Sequence, residues 1–240
     1  MNERKRKTQT LPFLLKSILE EDKYIKQIEK AKASGDKDLE RKLIFEATHD
    51  WGAKVKDAFD ISYEVINEEN IPKEGPVVFI CNHQSYGDLL PFITLIPFQC
   101  SFIAKKELGS IPLFGAWIKR TRGLLINRGN MKSSYYTITH GVELLKEGFS
   151  FVIFPEGTRS HKHEMGEFKP GSFKLATKAE VPIVPVTLDG IYHFFEEKKS
   201  IQRGVTFKLI FHEAIETKGM TKQEQKQLPG KVEKIIKDSL

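Results

Sequence analysis

Short apolar runs rich in β-branched residues alternate with helical segments along most of this 240-residue chain. This alternation constrains the fold more than any other feature of the sequence. The run 77–81 is typical, because it is short, continuously apolar and preceded by Gly75 and Pro76, which predicts a buried strand. Strands that alternate with helices predict an α/β layered domain with a mostly parallel central sheet. The predicted strands are 61–66, 77–81, 101–104, 124–127, 150–154, 183–188 and 205–211, and helices are predicted near 131–147, 171–180 and 221–238.

The N-terminal region predicts two consecutive helices. Residues 11–33 form the first predicted helix, and Ser34-Gly35-Asp36 ends it and supplies an N-cap for the next. From Leu39 to Phe59 an apolar residue recurs at every fourth position, which predicts an amphipathic helix. Two helices joined by a short turn form an αα-hairpin. We therefore divide the chain into an N-terminal hairpin, residues 1–60, and an α/β domain, residues 61–240.

The two predicted helices differ in what their apolar faces are expected to contact. The second helix is expected to pack on the protein core, as apolar stripes usually do. In the first, basic residues 4–7 lie close to the apolar segment Leu11–Leu15. This combination is typical of a membrane-surface anchor, and packing on the core is the open alternative.

Composition narrows the class of partner and compartment. The net charge of +6 favours anionic partners, but no RNA- or DNA-binding motif is present, so we predict no nucleic-acid partner. The apolar stretch Leu89–Phe98 contains two prolines and is much shorter than the roughly 18–20 residues that a membrane span needs. The two cysteines do not suggest a disulfide framework, which favours a reducing compartment.

One histidine and one aspartate suggest a catalytic base. His83 follows the predicted strand 77–81, at the carboxyl end where open α/β sheets bind ligands. On a single helix, His83 and Asp88 would point roughly 140° apart, so they meet only if the chain bends between them. An aspartate bonded to Nδ1–H leaves Nε2 free to accept a proton. G-x-S-x-G is absent and neither cysteine has a catalytic context, which favours direct attack by a substrate hydroxyl.

A second segment, Phe154–Ser160, has features suited to a phosphate. Its Pro-Glu-Gly turn follows a predicted strand, and backbone N–H groups at such a turn can form an anion nest. Arg159 can bind phosphate in a bidentate fork. The alternative is a surface turn with an Arg–Glu pair of little energetic value. The nearby segment His161–Glu164 lacks H-E-x-x-H, so we expect solvent exposure and no metal site.

At these two segments the chain resembles the glycerolipid acyltransferases, and it is most similar to the 1-acylglycerol-3-phosphate acyltransferase group. His83-x4-Asp88 resembles the first motif and Phe154–Ser160 the third. Asn127 departs from the second motif, where the family often has aspartate. The resemblance covers roughly residues 60–215. The other similar segments are Gly123–Arg128, Val181–Val186, Ala104–Leu108, Ile111–Gly115 and Phe168–Gly171.

The resemblance implies a reaction and assigns residues to it. His83 is the implied general base and Asp88 orients it. The sn-2 hydroxyl of lysophosphatidic acid would attack the thioester of acyl-coenzyme A or acyl-acyl carrier protein, which gives phosphatidic acid. Lys105 and Arg159 are the strongest candidates for phosphate ligands. The residues implied to bind substrate or shape its site are Lys105, Arg128, Glu156, Gly157, Thr158 and Arg159.

The resemblance also implies partners and a location. No tightly bound cofactor is expected, because the acyl thioester is a co-substrate. The implied partners are lysophosphatidic acid, acyl-coenzyme A or acyl carrier protein, and an anionic membrane surface. The enzyme is expected to be peripheral, on the cytoplasmic face of the membrane, with residues 61–240 as its catalytic domain. The alternatives are another acceptor (glycerol-3-phosphate or a lysophospholipid), a thioesterase that uses water, and a lipid-binding protein without activity.

Overall fold

A computed structural model of the protein describes residues 12–14, 16–127 and 129–240, and these residues build an α/β domain around a central sheet. The described strands form one seven-stranded sheet in the order β1-β7-β6-β2-β5-β3-β4. All neighbouring strands are parallel except β6 and β7. The predicted α/β class with a mostly parallel sheet is therefore confirmed. The strands are β1 Ser62–Ile66, β2 Val78–Cys81, β3 Cys100–Lys105, β4 Leu124–Ile126, β5 Ser150–Ile153, β6 Ile183–Asp189 and β7 Thr206–Phe211.

Helices cover both faces of the sheet. The helices predicted near 131–147, 171–180 and 221–238 are present, and the middle one begins as a 3₁₀ turn at Pro170–Phe173. Two short helices, Phe114–Arg120 and Tyr192–Phe195, were not predicted. The helices are α1 Asp22–Ser34, α2 Lys37–Ala58, α3 Leu89–Thr94, α4 Phe114–Arg120, α5 Met131–Lys146, α6 Lys174–Ala179, α7 Tyr192–Phe195 and α8 Lys222–Lys237.

Alternate residues of the central strands enter two different apolar clusters, one on each face of the sheet. In β2, Val78 and Ile80 belong to one cluster, whereas Phe79 and Cys81 belong to the other. This follows from the period of two in a strand. A strand buried on both faces is mainly apolar, which is why β2 is a continuous apolar run and β5 is apolar except for Ser150.

The N-terminal helices pack against both clusters. Gly35 ends α1 in the left-handed conformation (φ 76°), and the Asp36 carboxylate caps α2 by accepting from Leu39 N at 3.0 Å. Leu43 and Ile44 of α2 are buried in the first cluster, and Val55 and Phe59 lie in the second, where Phe59 follows the end of α2. The prediction that the second helix packs on the core is therefore confirmed.

The first predicted helix is interrupted. Residues 12–14 and 16–20 are helical, but the chain turns at Glu21 before α1 begins. Phe13 makes an edge-to-face contact with Phe59, with ring centroids 5.7 Å apart. Residues 1–11 and Leu15 lie outside the described residues, so the membrane anchor and the domain division at residue 60 stay predictions. Among the described helices, none is long and apolar enough to cross a bilayer.

The carboxyl ends of five parallel strands meet at one edge of the sheet. Strands β6, β2, β5, β3 and β4 are neighbours in this order and run in the same direction. His83 follows β2, and Phe154 follows the adjacent strand β5. Lys105 ends β3, and Asp189 ends β6. This edge therefore brings together segments that are far apart in the sequence.

Candidate active site

His83 and Asp88 form a hydrogen-bonded pair at the carboxyl end of β2. Nδ1 of His83 lies 2.6 Å from Oδ2 of Asp88. Because a carboxylate only accepts hydrogen bonds, Nδ1 carries the proton and Nε2 is left as the proton acceptor. The imidazole ring is stacked on Phe154, with centroids 4.1 Å apart and planes inclined by 17°. The side chain of His83 is 22% exposed, whereas that of Asp88 is 1% exposed, so the ring is accessible and its partner is buried.

The bend between the two residues is a 3₁₀ turn, Tyr86–Asp88, and the Asp88 carboxylate closes it. Oδ2 also accepts from Gln84 N at 2.7 Å and from Ser85 N at 3.0 Å. The Ser85 hydroxyl accepts from Gly87 N at 3.3 Å. Burial raises the pKa of the Asp88 carboxyl, and the hydrogen bonds from His83 and the two backbone amides oppose that rise. Asp88 therefore fixes both the loop and the imidazole.

Glu156 fastens the main chain of His83 to the segment Phe154–Ser160. Its Oε1 accepts from His83 N at 2.7 Å, and its Oε2 accepts from Gly166 N at 2.7 Å. The carbonyl oxygen of His83 accepts from Ser160 N at 2.8 Å. Burial raises the pKa of Glu156, and the two backbone N–H donors oppose this rise. Gly157 has φ of 75°, a conformation that favours glycine, and this turn aims Glu156 back at His83.

We expect Glu156→Gln to lower both stability and any activity that depends on His83. A glutamine has one acceptor oxygen and one NH₂ group, so one of the two N–H donors would face another donor in a buried site. Leaving a buried donor unsatisfied costs about 1–3 kcal/mol. The measurement is the free energy of unfolding in urea, together with the turnover rate. Glu167→Gln, at an exposed position in the same loop, is the control and should change neither quantity. Equal stability of the two variants would contradict this role of Glu156.

Arg159 is held between an aromatic ring and a buried carboxylate. Its guanidinium carbon lies 3.5 Å from the centroid of the Tyr86 ring. Its Nη1 donates to Glu196, whose side chain is 1% exposed. Glu196 also bonds Nδ1 of His161 at 2.6 Å. Arg159 therefore pairs with a glutamate, but Glu196 is buried and directly follows the helix Tyr192–Phe195, so this is not the exposed surface pair considered from the sequence. A guanidinium has five N–H donors, so this pair leaves donors for an anion.

Comparison of the sequence with a family model and with known proteins identifies the family of this chain. Residues 62–189, more than half of the chain, match the family model described as Acyltransferase. The chain belongs to the Acyltransferase family. It is 31% identical to human 1-acyl-sn-glycerol-3-phosphate acyltransferase beta over 164 residues, which are 68% of this chain and 59% of that protein. It is also 31% identical to 1-acyl-sn-glycerol-3-phosphate acyltransferase of Borreliella burgdorferi, with 73% of this chain and 69% of that protein covered.

A solved structure supports the same assignment over nearly the whole chain. The 1-acyl-sn-glycerophosphate (LPA) acyltransferase of Thermotoga maritima superposes with a TM-score of 0.71 and is 27% identical, covering 98% of this chain and 95% of that one. The chain covers less than two thirds of the length of the human protein. The family-model match shows the family, and the superposition shows the fold.

Two further predicted site residues, Lys105 and Thr158, lie along the same edge. Lys105 is exposed at the end of β3 and has no ion-pair partner within the described ranges. Thr158 is exposed next to Arg159. Asn127, where the second motif departs from the family, accepts from Gly129 N at 3.2 Å. Arg128 lies outside the described residues, so its assignment stays a prediction.

Three residues that support this site were not predicted from the sequence. Asn82 is fully buried and exchanges two hydrogen bonds of 2.8 Å with the backbone of Leu188 in β6. The side-chain oxygen of Gln84 accepts from Ile191 N at 3.1 Å. Both residues flank His83, and the available signal in the sequence was that polar residues directly follow the apolar run 77–81. Glu196, the third, lies in no motif, and nothing in the sequence marks it.

The two histidines of the segment 161–164 lie at exposed positions, as predicted. Each is paired with a carboxylate: His161 with Glu196, and His163 with Asp189, where Nδ1 lies 2.8 Å from Oδ1. Burial tends to raise the pKa of Asp189, but hydrogen bonds from His163 and Gly190 outweigh it and lower the pKa. Among the described residues, no group of three or more histidine, cysteine or acidic side chains is placed to hold a metal ion.

Proposed function

We propose that this protein transfers an acyl group from an acyl thioester to the sn-2 hydroxyl of 1-acylglycerol-3-phosphate and so forms phosphatidic acid. The observation that carries the proposal is the 2.6 Å contact between His83 and Asp88, which leaves Nε2 as a proton acceptor at the carboxyl edge of the sheet. The choice of acceptor rests on the names of the relatives in Homo sapiens, Borreliella burgdorferi and Thermotoga maritima.

In this scheme Nε2 of His83 takes the proton of the acceptor hydroxyl while the oxygen attacks the thioester carbonyl. The Asp88 carboxylate stabilises the imidazolium that forms. Collapse of the tetrahedral intermediate breaks the carbon–sulfur bond, and the imidazolium returns the proton to the departing thiolate. The products are an ester and a free thiol, and His83 is again neutral. Every step uses substrates and side chains alone, so no tightly bound cofactor enters the scheme.

The cysteines do not offer a competing covalent route. Cys81 and Cys100 are both buried, and burial raises the pKa of each thiol. A thiol must lose its proton to act as a nucleophile. Cys81 is also the last residue of the central strand β2. Its side chain lies in the second apolar cluster, on the face of the sheet opposite Val78 and Ile80. Direct attack by the acceptor hydroxyl is the route that fits these residues.

We assign the phosphate of the acceptor to Arg159 and Lys105. A charge-removing change at either position should raise the KM for lysophosphatidic acid about tenfold or more, since a hydrogen bond between charged groups contributes about 1.5–3 kcal/mol. The measurement is steady-state kinetics of Arg159→Ala and Lys105→Ala. Arg203→Ala, at an exposed position after α7, is the control. Unchanged acceptor kinetics in both site variants would overturn this assignment.

The proposed reaction is tested by supplying lysophosphatidic acid with radiolabelled acyl-coenzyme A or acyl-acyl carrier protein and measuring phosphatidic acid. Product with either donor supports the reaction and identifies the donor. Loss of thioester without product would show a thioesterase, and product only with glycerol-3-phosphate or a lysophospholipid would change the acceptor. No turnover with any donor and acceptor would favour a lipid-binding protein.

The proposal places this reaction at an anionic membrane surface, with the protein peripheral on the cytoplasmic face. The lipid nature of the acceptor and the net charge of +6 support it. In the same assay, turnover should be faster on vesicles that contain anionic lipid than on neutral ones. Equal rates and equal sedimentation with both vesicles would remove the membrane part of the proposal. Digestion of the protein by protease only after cell lysis would support the cytoplasmic face.

A further inference from the structure

A basic cleft of about 410 Å³ lies at the β4 edge of the sheet, away from the His83–Asp88 pair. Its apolar wall includes Leu124 and Leu125 of β4. The polar side chains around it come from four separate parts of the chain, namely α1, the segment after β3, the region of α4, and α5. They include Lys32, Lys106, Lys119, Arg122, Tyr136 and His140.

Three lysines give this cleft positive charge that no nearby carboxylate of the described residues neutralises. Lys32, Lys106 and Lys119 are exposed, and none has an ion-pair partner within the part of the chain that the structure describes. Arg122 differs, because it forks onto the buried carboxylate of Glu40 with hydrogen bonds of 2.6 and 2.9 Å. Lysines gathered around one concavity repel one another, and an anion between them removes that repulsion. The cleft therefore fits an anionic ligand.

The other side chains narrow the class of anion. A concave site of several hundred Å³ has the size of a small-molecule site. Tyr136 is 73% exposed at the rim, where its ring is available to stack on an aromatic base. Ser133 lines the same cleft and offers a hydroxyl. Several cations, a hydroxyl and an aromatic face together suit a phosphorylated nucleotide better than a simple phosphate ion.

The position of the cleft connects it to the candidate active site. Lys106 directly follows Lys105 at the carboxyl end of β3. Strand β4 is the third strand from β2, in the order β2-β5-β3-β4, so the lateral separation is roughly 14 Å at about 4.8 Å per strand. The pantetheine arm of coenzyme A joins its nucleotide to the thioester and spans on the order of 15 Å when extended, at about 3.5 Å per backbone-like unit. The arm is therefore long enough for the lateral separation from the carboxyl-end side of the cleft, which Lys106 marks, whereas Arg122 and Gly123 precede β4 on the opposite side.

We infer that this cleft binds the phosphorylated adenosine of acyl-coenzyme A, with the pantetheine arm running along the carboxyl edge toward His83. This inference rests on the proposed acyl transfer and names its donor. The lysines hold the phosphates, and Tyr136 stacks on the adenine. The cleft determines the affinity for the donor, and it leaves the affinity for the acceptor to the edge that carries Lys105 and Arg159.

The probe for this inference is adenosine 3′,5′-bisphosphate, which carries the nucleotide of coenzyme A without the reactive arm. We expect it to bind the wild-type protein in calorimetry and to compete with acyl-coenzyme A. The combined variant Lys32→Ala, Lys106→Ala and Lys119→Ala should weaken its binding at least tenfold. The same variant should raise the KM for acyl-coenzyme A by a similar factor and leave the KM for lysophosphatidic acid unchanged.

A second triple variant separates a specific site from a general loss of charge. Lys222, Lys226 and Lys231 are exposed along α8, and changing all three to alanine removes the same charge elsewhere. We expect this control to bind the nucleotide as the wild type does. Tyr136→Ala should weaken the nucleotide but not inorganic phosphate. If inorganic phosphate binds as tightly as the nucleotide, or the two triple variants behave alike, the nucleotide assignment is wrong.

Failure of the inference and failure of the proposed function give different results. If phosphatidic acid forms from acyl-coenzyme A but the nucleotide does not bind, the cleft assignment falls and the reaction stands. If the nucleotide binds, also in His83→Ala, but no acyl transfer occurs, the cleft assignment stands and the reaction falls. If the cleft variant loses activity only with acyl-acyl carrier protein, the cleft docks an acidic protein and the nucleotide assignment is overturned.

Discussion

His83→Ala will reduce the rate of acyl transfer by roughly 10²–10⁴-fold, the usual contribution of a general base. The loss should be in kcat, because His83 acts on the proton of the acceptor and is not assigned to the phosphate. The fold should survive. The His83 side chain is 22% exposed, and its bonds to Glu156 and Ser160 are made by the main chain, which alanine retains. The measurement is the initial rate of phosphatidic acid formation beside a thermal unfolding curve.

His163→Ala is the matched control for this experiment. His163 also bonds a carboxylate through Nδ1, but it lies in the exposed loop 161–164 and pairs with Asp189. Its loss should change the rate by less than a few-fold. A His83→Ala variant with a near-normal rate would rule out His83 as the base. A normal affinity for lipid with no turnover in the wild type would instead support the binding-protein alternative.

The strands of the central sheet could be predicted because each one is recognisable from its own short stretch of sequence. Parallel strands buried on both faces are mainly apolar runs, and β2, β5 and β6 are easily recognised because most of their residues are apolar. The break at Glu21 could not be predicted in the same way. The Glu21 side chain is buried and bonds Lys54 Nζ of α2 at 2.5 Å, a contact between two helices. The short helix α7 has four residues, too few to show a helical period.

The same distinction applies to the candidate site. His83 and Asp88 are five residues apart, so their pairing follows from one bend that the sequence permits. Glu156 is 73 residues from His83, and its two-sided contact depends on β2 and β5 being neighbours. Glu196 is 37 residues from Arg159 and is brought to it by the packing of α7 against the turn at Tyr86. Spacing reveals local pairs, whereas the supporting carboxylates come from topology.

Asp88→Asn should lower activity by about 10²-fold or more and also destabilise the protein. Oδ2 of Asp88 accepts from His83, Gln84 and Ser85, and an amide that turns its oxygen toward Gln84 and Ser85 cannot also stabilise an imidazolium as an anion does. An amide turned the other way donates to His83 Nδ1 and moves the ring proton to Nε2, which removes the base. In the first orientation the NH₂ group faces Ser85 N, which lies 3.1 Å from Oδ1, and in the second Gln84 N loses its acceptor. A buried donor left without an acceptor costs about 1–3 kcal/mol.

Urea unfolding and initial rates of Asp88→Asn measure the two effects, and the double variant with His83→Ala separates them. With the imidazole gone, Asp88→Asn should add little further loss of rate, because residues that act as a unit are not additive. The loss of stability should remain, because the bonds to Gln84 and Ser85 do not involve the imidazole. Asp57→Asn, at an exposed position of α2, should show neither effect. Multiplied rate losses in the double variant would mean that Asp88 contributes to catalysis independently of His83.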